Sequence, residues 1–120
     1  MKNKGENLTL TVSQQKAQII KEILIRNIYR QHPPTINQLA KMTNVNRRKI
    51  EEIFERRYGQ PIYHYFLDVR MKRILRDVRE NKIPLKAISE KFGYNHQSAL
   101  TLAFRRKYGI NPSQLRKERT

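Results

Sequence analysis

The sequence contains no cysteine, which excludes disulfides and thiolate metal sites and leaves no redox chemistry from which to read a compartment. It has no apolar run near the roughly 18 residues that a membrane span requires. Residues 1–12 also lack the apolar stretch of a signal peptide. We therefore expect a soluble, cytoplasmic protein with no membrane partner.

Acidic residues are scarce. Asp and Glu number 10 against 26 Lys and Arg, which gives a formal net charge of +16. Each of the segments 1–35, 36–60, 61–83 and 84–120 carries part of this excess, so the charge is not confined to a tail. The electrostatic field of so positive a protein attracts polyanions. The distribution of the positive charge along the chain favours a shaped binding surface over a disordered arm.

Motifs for catalysis and metal binding are also missing. The sequence has no nucleophile elbow, no phosphate loop and no carboxylate pair in a plausible pocket. His32, His64 and His96 lie in different segments without a cysteine or a paired carboxylate, which is a poor ligand set. We expect neither an enzyme nor a bound cofactor or metal.

Apolar residues recur at helical spacing through most of the chain, which predicts an all-α fold of seven helices without a convincing strand. The first helix is expected over about 14–31, with Ser13 as its N-cap. The other helices are expected to begin at Ile36, after Asn46, at Ile62, at Leu85, after Asn95 and at Pro112.

Several positions have a specific structural expectation. Thr35 and Asn46 are predicted N-caps, and Asn44, Gly59 and Gly109 suit left-handed helix ends. Met42 and Tyr63 are candidates for the core of their helices. The aromatic residues expected in the core, and not to stack on nucleobases, are Phe54, Tyr58, Phe104 and Tyr108.

One unit of the sequence occurs twice. The unit consists of a short helix, a tight turn and a capped longer helix, which ends in the motif Phe, three residues, Tyr-Gly. It appears at 39–59 and again at 88–109. The offset is 49 from Asn46 to Asn95 but 50 from Phe54 to Phe104, which places the extra residue after the second cap. A short helix, a turn and a second helix form a helix-turn-helix unit.

A single helix-turn-helix pattern is equally compatible with an ordinary helical hairpin. Two such units in a chain of charge +16 favour DNA binding. The predicted helix over 62–81 would be about 30 Å long, and successive major-groove segments lie roughly 34–36 Å apart. We therefore predict a leader at 1–12, a first helix-turn-helix subdomain at 13–60, a linker helix at 61–83 and a second subdomain at 84–120.

The residues from Pro34 to Lys117 resemble the DNA-binding domain of the AraC/XylS family of bacterial transcription regulators. The most specific portion runs from Gly93-Tyr94-Asn95-His96-Gln97-Ser98 through Ala103-Phe104-Arg105-Arg106-Lys107-Tyr108-Gly109-Ile110-Asn111-Pro112-Ser113. Leu39-Ala40, Phe54, Gly59 and Arg70-Met71 also agree with the family pattern. The resemblance implies a seven-helix fold with two helix-turn-helix units, and an activator that contacts RNA polymerase.

A recognition helix reads bases with the outward side chains of its first two turns. In the first unit these are Arg47, Arg48, Glu51 and Glu52. Arg48 can bond guanine in a bidentate manner, and a Glu can accept a hydrogen bond from cytosine. The alternative is that Arg47 with Glu51 and Arg48 with Glu52 form pairs that only solvate the helix face.

In the second unit the base-reading candidates are His96, Gln97, Ser98, Thr101 and Leu102. Gln97 suits adenine, while Thr101 and Leu102 suit a thymine methyl group. Gln97 and Thr101 stand where the family often places base-reading residues, whereas at Leu102 some similar members carry a basic side chain. The candidates for phosphate contact are Thr35, Arg56, Arg57, Arg105, Arg106 and Lys107.

The sequence thus predicts a nucleoid-associated protein that binds double-stranded promoter DNA as a monomer through two recognition helices and regulates transcription. One alternative is a general basic binder of RNA or single strands, although that class usually has exposed aromatics or a sheet platform. Another is a module for proteins or membrane surfaces that uses basic amphipathic helices. The operator, the regulated genes and any inducer stay open.

Overall fold

The computed structural model describes residues 10–119. This part of the chain contains seven helices and no strand, which confirms the predicted all-α fold of two helix-turn-helix units. The helices are α1 (Val12–Arg26), α2 (Ile36–Thr43), α3 (Arg47–Tyr58), α4 (Ile62–Glu80), α5 (Leu85–Lys91), α6 (Gln97–Tyr108) and α7 (Pro112–Arg119). None of the helices in this stretch combines the length and the apolar character that a bilayer crossing requires.

Helix α1 differs from its prediction at both ends. Its N-cap is Thr11 and not Ser13, because Gln14 completes a capping box in which each side chain bonds the other residue's backbone N–H. The helix ends at Arg26 and does not continue to 31. Asn27 stops it, since its side-chain amide donates to the carbonyl of Ile23 at 2.7 Å and so competes with the backbone ladder.

The first helix-turn-helix forms as its local residues predict. Thr35 caps α2 in a capping box with Gln38, and Asn44 ends α2 with a left-handed φ of 56°. Asn46 caps α3 by accepting a hydrogen bond from the N–H of Arg48 at 2.8 Å. Gly59 ends α3 with a φ of 80°. A tight turn therefore separates two capped helices, as in a helix-turn-helix.

Residues 10–27 and 33–66 form one compact unit, called here the first unit. Its core is built by α1, α2 and α3 packing on one another. Rings of α3 and α4 extend this core: the centroid of Phe54 lies 4.9 Å from that of Tyr58 and 5.3 Å from that of Tyr65. The buried apolar residues of α1, α2 and α3 are Ala17, Ile20, Ile23, Leu24, Leu39, Ile50, Ile53 and Phe54.

Residues 28–32 and 67–119 form the second unit. Phe104 and Tyr108 lie 4.9 Å apart between ring centroids, the same separation as their counterparts in the first unit. The prediction that these four aromatic residues pack in the core is confirmed for Phe54 and Phe104, while Tyr58 and Tyr108 are half-buried. The core of the second unit contains Met71, Ile74, Val78, Ile88, Phe92, Leu100 and Phe104.

The cap of α6 was predicted one residue too early. His96, and not Asn95, is the N-cap, and its side chain makes no capping hydrogen bond. Helices α3 and α6 therefore keep an offset of 50 over their whole length, and the extra residue of the second unit lies in the turn before the cap. Gly93, with a φ of 79°, takes the chain through this longer turn close to the backbone of Gln31.

Two residues that were candidates for the core are on the surface. Met42 is 59% exposed because Leu39 and Thr43 occupy the inner face of α2, and the Thr43 hydroxyl donates to the carbonyl of Leu39 at 2.7 Å. Tyr63 is 54% exposed because Ile62 and Phe66, one turn apart, take the buried positions at the start of α4. The neighbour of a buried residue on a helix points to a different side.

Candidate nucleic-acid interface

Helix α3 presents a polar face to solvent. Ile50, Ile53 and Phe54 are buried, so the helix has only one orientation that places its apolar stripe in the core. The opposite side therefore carries the candidates of the first two turns. All four are exposed: Arg47, Arg48, Glu51 and Glu52.

The two candidate carboxylates of α3, Glu51 and Glu52, have partners that differ from the predicted pairs. Glu52 accepts a hydrogen bond from Arg56 at 3.0 Å, and not from Arg48. A glutamate that lies N-terminal to its basic partner is the better order on a helix, which explains this choice. Glu51 accepts from the backbone N–H of Ile62 at 3.2 Å. Within residues 10–119 the side chains of Arg47 and Arg48 make no hydrogen bond or ion pair.

Helix α6, like α3, exposes the side that lies away from its buried apolar residues. Leu100 and Phe104 are buried, and Gln97 and Ser98 at the start of the helix are exposed. Thr101 is half-buried, Leu102 is 40% exposed, and His96 precedes the helix with an exposed side chain. All five candidates of the second unit therefore lie within the first two turns of α6 or at its cap.

The candidates for phosphate contact are exposed, but most have a partner within the protein. The Thr35 hydroxyl caps α2, and Arg57 lies with its guanidinium carbon 5.3 Å from the ring centroid of Tyr58. Arg105 donates to the side chain of Asn111 at 3.2 Å. In the described part of the chain, Arg106 has no side-chain hydrogen bond or ion pair.

Lys107 forms an ion pair with Asp68 of α4. Its ammonium nitrogen lies 2.9 Å from a carboxylate oxygen of Asp68, whose other oxygen lies 3.5 Å from the ammonium of Lys72. The hydrogen bond from Lys107 is the main cause that lowers the pKa of Asp68 below its ordinary value. The same bond raises the pKa of Lys107. Lys107 therefore supports the end of α6 against α4 in the absence of DNA.

Replacing Asp68 by asparagine is expected to reduce the free energy of unfolding at pH 7 by less than about 1 kcal/mol, since the pair is partly exposed. The pKa of Asp68 is lowered by folding, so its contribution is present above its ordinary pKa and disappears as the pH falls through the lowered pKa. Urea unfolding at pH 7 and in acid should therefore show a difference between wild type and variant that shrinks in acid.

The matched control for this measurement is Glu90→Gln, since Glu90 is an exposed carboxylate of the same unit. It should leave the unfolding free energy at pH 7 within about 0.5 kcal/mol of wild type. A stability loss in Asp68→Asn that persists unchanged at acidic pH contradicts the assignment, because the protonated carboxyl would then be as stabilising as the charged one.

Within residues 10–119, no group of three or more His, Asp or Glu side chains could hold a metal ion. One interior arginine was missed by the sequence reasoning. Arg70 of α4 is 2% exposed and donates to the backbone carbonyls of Ile28, Arg30 and Phe92. Its position in the apolar stripe, four residues after Phe66 and four before Ile74, is the signal that would have found it.

Comparison with known proteins agrees with this geometry. A family model described as a helix-turn-helix domain matches residues 39–118. An AraC-like transcription regulator of Streptomyces antibioticus is 36% identical over 72% of this chain. The matched region is 28% of that regulator, so the chain spans less than a third of its length.

Solved structures share the fold. A transcriptional regulator of Chromobacterium violaceum with an AraC-type DNA-binding domain gives a TM-score of 0.71 at 22% identity, covering 90% of this chain and 95% of that one. The DNA-binding domain of the global transcriptional factor AdpA, solved in complex with a target DNA, gives a TM-score of 0.67 at 19% identity. That match covers 82% of this chain and 90% of the AdpA domain.

Proposed function

The chain belongs to the AraC/XylS family of bacterial helix-turn-helix transcription regulators, and we propose that it reads a specific duplex sequence by inserting α3 and α6 into the major groove. The family is one of DNA-binding regulators and not of enzymes. The bound DNA would be promoter DNA, since regulators of this kind act on transcription. We also propose which residues contact the bases and how DNA binding affects transcription.

The observation that supports this most is the similar construction of α3 and α6. Each has 12 residues, and the buried Ile50 and Phe54 of α3 have buried counterparts at an offset of 50 in α6, Leu100 and Phe104. A corresponding side of each helix is therefore left exposed, and it begins with polar side chains, Arg47 and Arg48 in α3 and Gln97 and Ser98 in α6. A helix that enters the major groove needs this arrangement, because its N-terminal residues reach the base edges.

We assign base contact to side chains that are at least partly exposed and that make no hydrogen bond or ion pair within the described residues. Arg48 suits a bidentate contact with guanine, and Gln97 suits adenine. Arg47, His96, Ser98, Thr101 and Leu102 complete the proposed reading surface, with Thr101 and Leu102 placed for a thymine methyl group. Phosphate contact is proposed for Thr35, Arg56, Arg57, Arg105, Arg106 and Lys107.

The presence of two helix-turn-helix units supports a binding site of two blocks. Successive major-groove segments lie roughly 34–36 Å apart. We propose that one protein molecule engages two adjacent segments, so that duplexes selected from a random pool should contain two conserved blocks about one helical turn apart.

Replacing Arg48 or Gln97 by alanine is expected to weaken binding to the selected duplex by about 1–3 kcal/mol and to relax base preference in one block each. The reason is that each side chain would lose hydrogen bonds to one base pair. The measurement is competition binding against single-position variants of the selected duplex at fixed salt, since charge contacts make every affinity salt-dependent.

Arg106→Ala is the matched control, since Arg106 is an exposed cation of α6 outside its first two turns. It should weaken binding to every duplex by a similar factor. If the wild-type protein shows no preference among random duplexes, sequence-specific binding is refuted. Tighter binding to single strands would instead identify a general basic nucleic-acid binder.

Activation of transcription and contact with RNA polymerase are further parts of the proposal, and they depend on the family resemblance alone. Transcription with purified polymerase from a promoter that carries the selected duplex distinguishes an activator from a repressor. Sedimentation of the DNA complex gives the number of protein molecules per duplex, for which we propose one.

A further inference from the structure

The N-terminus of α4 depends on a side chain from another helix. A helix start leaves backbone N–H groups without partners in the helix itself, and a side chain at the N-cap usually accepts from one of them. The residue before Ile62 is Pro61, whose side chain has no acceptor. The N–H of Ile62 donates instead to the carboxylate of Glu51 on α3, at 3.2 Å.

This hydrogen bond is well placed to hold α3 against α4. Ile62 is 3% exposed, so its backbone is shielded and its N–H depends on a protein acceptor. The carboxylate also lies at the positive end of the α4 dipole, where a negative charge is favourable. If Glu51 turned outward to accept from a cytosine, the N–H of Ile62 would lose this acceptor.

The second unit meets the same structural need without a carboxylate. In the first unit the N–H of Tyr65 donates to the carbonyl of Pro61. The corresponding bond of the second unit, at an offset of 50, joins the N–H of Leu115 to the carbonyl of Asn111. The residue that corresponds to Ile62 is Pro112, which is buried and has no N–H to satisfy. The residue that corresponds to Glu51 is Thr101.

We propose that Glu51 is a positioning residue of the first recognition helix and not a reader of bases. It holds α3 through the N–H of Ile62, so base reading in the first unit falls to Arg47 and Arg48. Thr101 is not needed as an acceptor, because Pro112 has no backbone N–H. Its side chain can therefore contact a base. This inference depends on the proposed DNA binding of the chain and replaces the base-reading role predicted for Glu51.

The test compares two substitutions at one position. Glu51→Gln keeps a side-chain oxygen that can accept from Ile62, whereas Glu51→Ala removes it. We expect Glu51→Ala to weaken binding to the selected duplex by about threefold to tenfold without a change in base preference, as the loss of one hydrogen bond predicts. Glu51→Gln should restore the affinity to within about twofold of wild type, with the same preference at every base pair.

Amide hydrogen exchange of Ile62, followed by NMR in the absence of DNA, gives an independent measurement. It should be faster in Glu51→Ala than in wild type and unchanged in Glu51→Gln. Thr101→Ala is the matched control in the second unit: it should alter base preference in the second block and leave the exchange of Ile62 unchanged.

Two results overturn the positioning role. One is a change of preference at a single base pair in Glu51→Gln, because an acceptor that only holds Ile62 has no effect on base choice. The other is an Ile62 amide that exchanges equally fast in wild type and Glu51→Ala. The exchange measurement uses no DNA, so it decides the role of Glu51 even if the wild-type protein fails to select a duplex.

Discussion

Arg70→Ala is expected to lower the free energy of unfolding by about 2–5 kcal/mol, because it removes hydrogen bonds donated by a buried guanidinium and leaves a cavity. The Arg70 guanidinium is buried, and its donors reach the carbonyls of Ile28, Arg30 and Phe92. Its charge also lies 4.8 Å from the ring centroid of Tyr94. Alanine would leave buried carbonyl groups without donors and a cavity in the second unit.

Urea unfolding of the purified variant at pH 7 measures this effect. Arg79→Ala, on the same helix but with an exposed side chain, is the control and should change stability by no more than about 0.5 kcal/mol. Arg70→Lys should recover only part of the loss, since one ammonium group lacks the planar fork of the guanidinium. An Arg70→Ala protein as stable as the control would show that these carbonyls find other donors.

Gly93→Ala is expected to cost about 2–5 kcal/mol through two separate effects. The first is the left-handed backbone, with a φ of 79°, which costs about 1–2 kcal/mol for a residue with a Cβ. The second is space, since a Cβ at this position would lie 2.7 Å from the backbone nitrogen of Gln31. Forcing the neighbouring backbone to move adds about 1–3 kcal/mol.

Gly109→Ala separates the two effects. Gly109 has a similar φ of 76°, but nothing lies within 4 Å of the position of its Cβ. Thermal or urea unfolding should therefore show a loss of only about 1–2 kcal/mol for Gly109→Ala and a clearly larger loss for Gly93→Ala. Equal losses for the two variants would mean that the segment at Gln31 moves aside without a cost.

The features that the sequence predicts well depend on neighbours within one or two turns. Thr35, Asn44, Asn46 and Gly59 have the predicted roles because a cap or a left-handed end is decided by the residue itself and its nearest backbone. The exposure of one face of α3 and of α6 follows equally from the spacing of buried residues such as Ile50. The helices of the candidate site and their exposed faces were therefore predictable from the sequence.

Some of the features that were missed depend on residues far along the chain. Gly93, in the turn before the cap at His96, passes close to the backbone of Gln31, 62 positions away. The acceptors of Arg70 and the bond from Ile62 to Glu51 likewise join different helices or loops. Local periodicity contains no information on such contacts, so the sequence assigned Glu51 to base reading on spacing alone.

The second unit is not continuous in sequence. Residues 28–32 belong to the second unit, although the segments on both sides of them belong to the first. A polypeptide starting at residue 67 would include Arg70 and Gly93 but would lack the carbonyls of Ile28 and Arg30. The two units are therefore interleaved in sequence, and a contiguous stretch that begins at residue 67 lacks part of the interior of the second unit.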